Sequence, residues 1–327
     1  MLSTIYYLLG ALTLIKSSAS AQLDTLPTPV VKADQKLFGP FIEGATFFNG
    51  SILAVDPFDP TSKAELKNSI GAVDIKAGAT RLFLRGDPQA QLNGLRIVDG
   101  GTKLLAADPA KHVLFVHQIT SDGVAAQPSS VISIPSSVGV PNDVTDTAGG
   151  GVYVSGGKFQ PVGAAKDGEV WFVPLADRAQ PVKLLTLGRT NGIALSKDKK
   201  TLFVTENVAQ RNKIQSFQVQ TDGSLENQKL VVDFDPAINK GFTADSDLDG
   251  LRVHPVSGNL FVAHTGNGKS VVEVNPTDGK IVRTIGVSMN NPTNLDFSPA
   301  GDKLFVVGRC GNAAFGQGNG CLDVASL

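Results

Sequence analysis

The sequence is short of charge of either sign. Charged residues are 18% of the 327 and the formal net charge is −1. That excludes the basic footprint of a nucleic-acid binder and the charge excess of a disordered chain. Cysteine is nearly missing, and two copies cannot build a cysteine-based zinc or iron–sulfur centre or a disulfide-dense scaffold. The histidines are His112, His117, His254 and His264, and none has the His-x-x-x-His spacing of a metal site. No Gly-x-Ser-x-Gly elbow is present, which speaks against a serine hydrolase. No long stretch carries a helical period, which argues against an α/β fold, and no stretch is long and apolar enough for a membrane span.

The longest apolar run, Ile5 to Ile15, is too short to cross a bilayer, which takes about 20 residues. Ala19-Ser20-Ala21 follows it as a small-x-small cleavage pattern, so residues 1–21 are expected to be a signal peptide, with Gln22 starting a secreted chain. Asn49-Gly50-Ser51 is then a glycosylation acceptor. In an oxidising compartment Cys310 and Cys321 are expected to form one disulfide that staples the end of the chain; the alternative is two free buried thiols.

What the sequence has in abundance is glycine, 35 residues, with 18 prolines between many short Val-rich segments. An Asn, Asp or Glu anchor, often followed by Gly, recurs at Glu43, Asn93, Asn142, Asn191, Asp249 and Asn294. After each comes a polar turn and an apolar strand, such as Thr201-Leu202-Phe203-Val204 after Asn191 or Leu260-Phe261-Val262 after Asp249. Further strands complete most units, among them Ile70 to Ile75, Gly168 to Leu175, Lys213 to Gln220, Lys229 to Phe234 and Lys269 to Val274. A strand-built period of about fifty residues predicts a β-propeller, here all-β and six-bladed with four strands per blade, over residues 22–327 as one domain. The last unit lacks a fourth strand, and Pro29 to Lys32 is available to close it.

In a propeller the innermost strands line a central channel, so their first residues form a ring at one mouth. That ring holds two carboxylates and four amides, with no Lys, Arg or His. These are hard oxygen donors of the kind calcium takes, and Glu43 and Asp249 together match a divalent charge. The competing reading is that Asn-Gly and Asp-Gly are ordinary turn pairs. Two other motifs carry less. Asp245 to Gly250 mimics an EF-hand opening, but position 12 is Val256. Gly266-Asn267-Gly268-Lys269-Ser270 mimics a phosphate loop whose first glycine is replaced by Ala263. His264, His117 and Arg309 are expected at strand ends, as polar blade rim.

Four segments resemble the SMP-30/gluconolactonase/luciferin-regenerating family: Phe41-Ile42-Glu43-Gly44, Pro141-Asn142-Asp143-Val144, Thr190-Asn191-Gly192-Ile193-Ala194-Leu195-Ser196 and Leu248-Asp249-Gly250-Leu251. The resemblance implies a divalent ion, calcium or another, held by Glu43, Asn142, Asn191 and Asp249. It also implies hydrolysis of a small-molecule lactone or ester, with Asp249 as general base or, as in some related propeller esterases, direct nucleophile. Val140 stands where sugar-lactonase members carry a substrate-binding arginine, and Phe47 and Phe48 stand in the region of a frequent tryptophan. These departures imply a substrate less polar than a sugar lactone. A non-catalytic binding or scaffold propeller with a structural metal is the alternative function, and an enzyme tailoring a hydrophobic biosynthetic intermediate is a third.

Overall fold

In the computed structural model the described residues are 29–32, 38–39, 42–56, 68–120, 123–124, 127–135, 137, 139–147, 150–158, 166–176, 180–208, 211–235, 246–310 and 320–327. The expected signal peptide lies outside them. Six antiparallel sheets of four strands follow one another along the chain, and the second carries an added two-residue strand, Gly123–Val124. Among the described residues the only helical elements are two 3-10 turns, Asp99–Gly101 and Gly266–Gly268. The second of these is a hairpin tip between strands, so the phosphate-loop likeness is a turn.

The innermost strands are Glu43–Phe48, Leu95–Val98, Val140–Asp146, Arg189–Leu195, Leu248–Val253 and Asn291–Phe297. Each touches the next, and the last touches the first, so the sheets close into a ring of six blades. The sixth blade joins both ends of the described chain, for Pro29–Lys32 pairs antiparallel with Gly320–Ser326. A disulfide links Cys310 to Cys321, across the second and third strands of that blade, with Cα atoms 5.5 Å apart.

Burial explains the sequence pattern. The second strands are apolar nearly throughout because neighbouring blades cover both faces; Ser51–Val55, Gly151–Gly157 and Leu260–His264 are buried at every residue. The fourth strands form the outer edge, and Val182–Leu187 and Leu225–Asp233 are mostly open to water. Expected strand starts hold to within about two residues except at that edge, while some second strands run further than expected, Thr201–Val208 ending four residues beyond the expected Val204. Leu225–Asp233 begins four residues before the expected Lys229, because a polar outer strand shows no alternation that would announce it.

The anchors are not turn pairs. Glu43-Gly44, Asn191-Gly192 and Asp249-Gly250 all lie inside strands, and so does Asn142. At each of them the pairing register slips, between Glu43 and Thr46, Pro141 and Val144, Thr190 and Ile193, and Leu248 and Leu251. A bulge of this kind bends its strand and re-aims the side chain at the bend.

Candidate functional site

Glycine draws the bulges into one ring. A Cβ on Gly44 would fall 2.3 Å from the Asn93 carbonyl oxygen, one on Gly94 2.3 Å from that of Asn142, and one on Gly192 2.3 Å from that of Asp249. One on Gly250 would fall 2.6 Å from the Asn294 side chain. Each glycine therefore lets its inner strand press directly against the next anchor. Two junctions use side chains instead. The Ser155 hydroxyl donates to the Asn191 carbonyl, and the Thr293 hydroxyl donates to the Ile42 carbonyl at 2.6 Å.

Glu43, Asn191 and Asp249 are partly open to water, while Asn93, Asn142 and Asn294 are buried. Burial raises the Glu43 carboxyl well above the usual carboxylate range, and repulsion from Asp249 adds to it. Hydrogen bonds from the Gly44 N–H, at 3.2 Å, and from the Asn294 side chain oppose that rise. Burial likewise pushes Asp249 up to about 8, against the pull of Arg189 and a hydrogen bond from Asn191, with repulsion from Asp247 and Asp143 adding to it. Asn191 keeps its amide oxygen buried without a hydrogen-bond partner. Two crowded carboxylates and an unpartnered amide oxygen suit a hard cation, which would relieve the repulsion and take up the oxygen. Among the described residues no cluster of three or more His, Cys, Asp or Glu is placed to hold a metal. A cation here would therefore draw on amide oxygens as well as the two carboxylates.

The mouth is braced from behind. Asn207, at the end of the second strand of blade 4, holds the backbone of Leu248 from both sides, donating to its carbonyl at 2.8 Å and accepting from its N–H at 2.9 Å. This fixes the residue before Asp249. Arg189 pairs with Asp247 at 2.6 Å.

Deeper in the channel lies a charged layer that sequence reasoning missed. Arg252 reaches from blade 5 to the Asp143 carboxylate of blade 3 at 2.8 Å and to the Ala45 carbonyl of blade 1 at 3.2 Å. Arg252 is 2% exposed and Asp143 is 0% exposed, so this ion pair crosses the axis in a dry interior. Beside it Arg96 donates to the Val144 carbonyl at 3.1 Å, and Asp296 accepts the Phe47 N–H at 2.7 Å. Burial and the neighbouring Arg252 bring Arg96 down to about 10. One signal was present in the sequence: Leu-Arg follows both Asn93-Gly94 and Asp249-Gly250, placing an arginine at equal depth in two inner strands.

The remaining rim residues divide. Arg309 and His264 end the second strands of blades 6 and 5, as expected. His264 is buried, its Nε2 is 2.6 Å from the Ser246 hydroxyl, and burial lowers it to about 4, so it is neutral at physiological pH. His117 is not at a strand end. It sits inside the third strand of blade 2 and lines a cavity of about 640 Å³ between blades 1 and 2, away from the channel.

The profile of the SMP-30/gluconolactonase/LRE-like region matches residues 136–308. The chain belongs to this family. The matched segment takes in Asn142, Asn191 and Asp249, while Glu43 lies before it. A search of curated protein sequences returns no match. Among solved structures, a luciferin-regenerating enzyme is similar at 16% identity and a TM-score of 0.68, covering 90% of this chain and 94% of its own. Regucalcin from Agrobacterium tumefaciens, a calcium-binding protein, is similar at 15% identity and a TM-score of 0.66, covering 92% and 93%. A gluconolactonase from Xanthomonas campestris is similar at 19% identity and a TM-score of 0.63, covering 89% and 88%. At these identities the likeness is one of fold, and family membership rests on the profile match.

Proposed function

We propose that this protein is a secreted hydrolase of small lactones or esters that works with a divalent cation, calcium by choice of donors, at the channel mouth. The observation that carries the reading is the convergence of Glu43 and Asp249 with the unpartnered amide oxygen of Asn191. Family membership and the gluconolactonase and regucalcin folds support it. Glu43, Asn142, Asn191 and Asp249 would hold the ion. When bound, it supplies electrostatic stabilisation of the oxyanion that develops during attack on a carbonyl. Asp249 accepts the proton of the attacking water. A neighbouring dication would bring that carboxyl down from about 8, so it would be ionised near neutral pH. Asn191, donating to Asp249, orients the carboxylate for this transfer.

The substrate is less polar than a sugar lactone, because Val140 offers no hydrogen bond where related sugar lactonases place an arginine. A scaffold role finds less support. Of the six large exposed apolar side chains among the described residues, Leu82, Val131, Val182, Leu230 and Val282 fall one to a blade on the outer strands of blades 1 to 5 and Val256 lies in a turn of blade 5, so they share no single face. Secretion is supported by the Cys310–Cys321 disulfide. The test is pH-stat hydrolysis of sugar, aliphatic and aromatic lactones after chelation and again with calcium restored. Calcium-dependent turnover, faster on the less polar lactones, is expected. No turnover by calcium-loaded protein would leave a binding propeller.

A further inference from the structure

The channel carries more carboxylate than a divalent ion needs. Asp143 follows the ring residue Asn142 directly and lies close enough to raise both Glu43 and Asp249 by repulsion. It is a third acid, in the layer below the mouth. Its charge is met directly by Arg252, whose guanidinium reaches the carboxylate at 2.8 Å, and at longer range by Arg96. The other Asp143 carboxylate oxygen accepts the Val144 N–H at 2.9 Å. Arg252 is seated independently, donating to the Leu251 carbonyl at 2.8 Å and the Ala45 carbonyl at 3.2 Å. The charges facing this pair are Glu43 and Asp249 above it and Arg96 and Asp296 beside it. The two arginines Arg252 and Arg96 together balance Asp143 and Asp296, and Arg189 is held by Asp247. Two uncompensated negative charges remain, those of Glu43 and Asp249.

We propose that Arg252 sets the ionic charge that the ring accepts: by holding Asp143 it keeps a third carboxylate away from the cation, so that the site favours a divalent over a trivalent ion. The inference rests on the reading of the ring as a cation site. Its physical basis is Coulomb's law, in which one added negative charge acts 1.5 times as strongly on a trivalent as on a divalent ion at the same distance, by about the ratio of their charges. Ligand charge count also tunes calcium sites generally.

The test is terbium luminescence titration of the full chain, competed with calcium. In Arg252→Met the ratio of terbium to calcium affinity rises by roughly tenfold or more. In Arg252→Met/Asp143→Asn it returns to the value of the unaltered protein, and this double variant leaves no buried charge unpaired. Should the single Arg252 variant fail to fold, Asp143→Asn alone carries the test. There the arginine keeps its seat on the two carbonyls, and both affinities fall, terbium more than calcium. An unchanged ratio in every folded variant that still binds calcium overturns the inference and leaves the cation site standing. Binding of neither ion by the unaltered protein removes the cation site itself, and the inference with it.

Discussion

Gly192 presses on Asp249: a Cβ added to the glycine would lie 2.3 Å from the Asp249 carbonyl oxygen and 2.4 Å from the Leu251 amide nitrogen. Both are backbone atoms, so no side chain can swing aside to admit a methyl group. Gly192→Ala is expected to cost about 2–4 kcal/mol in denaturant unfolding, at or above the usual range for overpacking. It is also expected to weaken calcium binding, because the inner strands of blades 4 and 5 must part. Gly50→Ala is the control, for nothing lies within 4 Å of its added Cβ. Its left-handed backbone, at φ 77°, limits the cost to about 1 kcal/mol.

Removing the charge of Asp249 separates catalysis from binding. Asp249→Asn keeps an oxygen at the ring but cannot take up a proton. Turnover is expected to fall at least about a hundredfold, within the range for loss of a general base, while calcium, measured calorimetrically, still binds more weakly. Full activity in this variant would remove both roles considered for Asp249.

The raised carboxyls make the cation compete with protons. Glu43 lies well above the usual range and Asp249 at about 8 when no ion is bound. Calcium affinity is therefore expected to climb as pH rises from 6 to 9, with protons released on binding and visible in buffers of different ionisation enthalpy. Stability without the ion runs the other way. The folded chain holds protons that the unfolded chain has already lost above the ordinary carboxylate range, so stability falls as pH rises through the folded-state value near 8. Calcium is expected to flatten this fall, and thermal melts across pH with and without chelator would register it.

Reduction of the Cys310–Cys321 bond is expected to cost about 3 kcal/mol, the chain-entropy value for a loop of this size. The loss falls on blade 6, where Pro29–Lys32 meets Gly320–Ser326, so amide exchange in those strands is expected to quicken first under reducing conditions.

Much of this molecule could be read from its sequence because repetition and burial leave periodic marks. The second strands are covered on both faces, so runs such as Thr201-Leu202-Phe203-Val204 stand out against the polar turns before them. The anchors stand out because each recurs near the start of an inner strand, at a similar point of its repeat. Blade 2 was read only through its first two strands. Its outer strand, Ser130–Ser133, is four residues long and half exposed, and it stands alone after the mixed stretch 121–129. The pairing of Asp143 with Arg252 was beyond reach because the partners stand 109 residues apart and meet only once the ring has closed. Neither residue breaks the pattern of its own strand strongly enough to announce a contact across the axis.

The guanidinium of Arg252 has one consequence that concerns traffic. Tied at once to blades 1, 3 and 5, it bars the axis of the propeller with a dry ion pair. A molecule that enters by the mouth meets this pair across its path, so its way out is expected to be the way it came in.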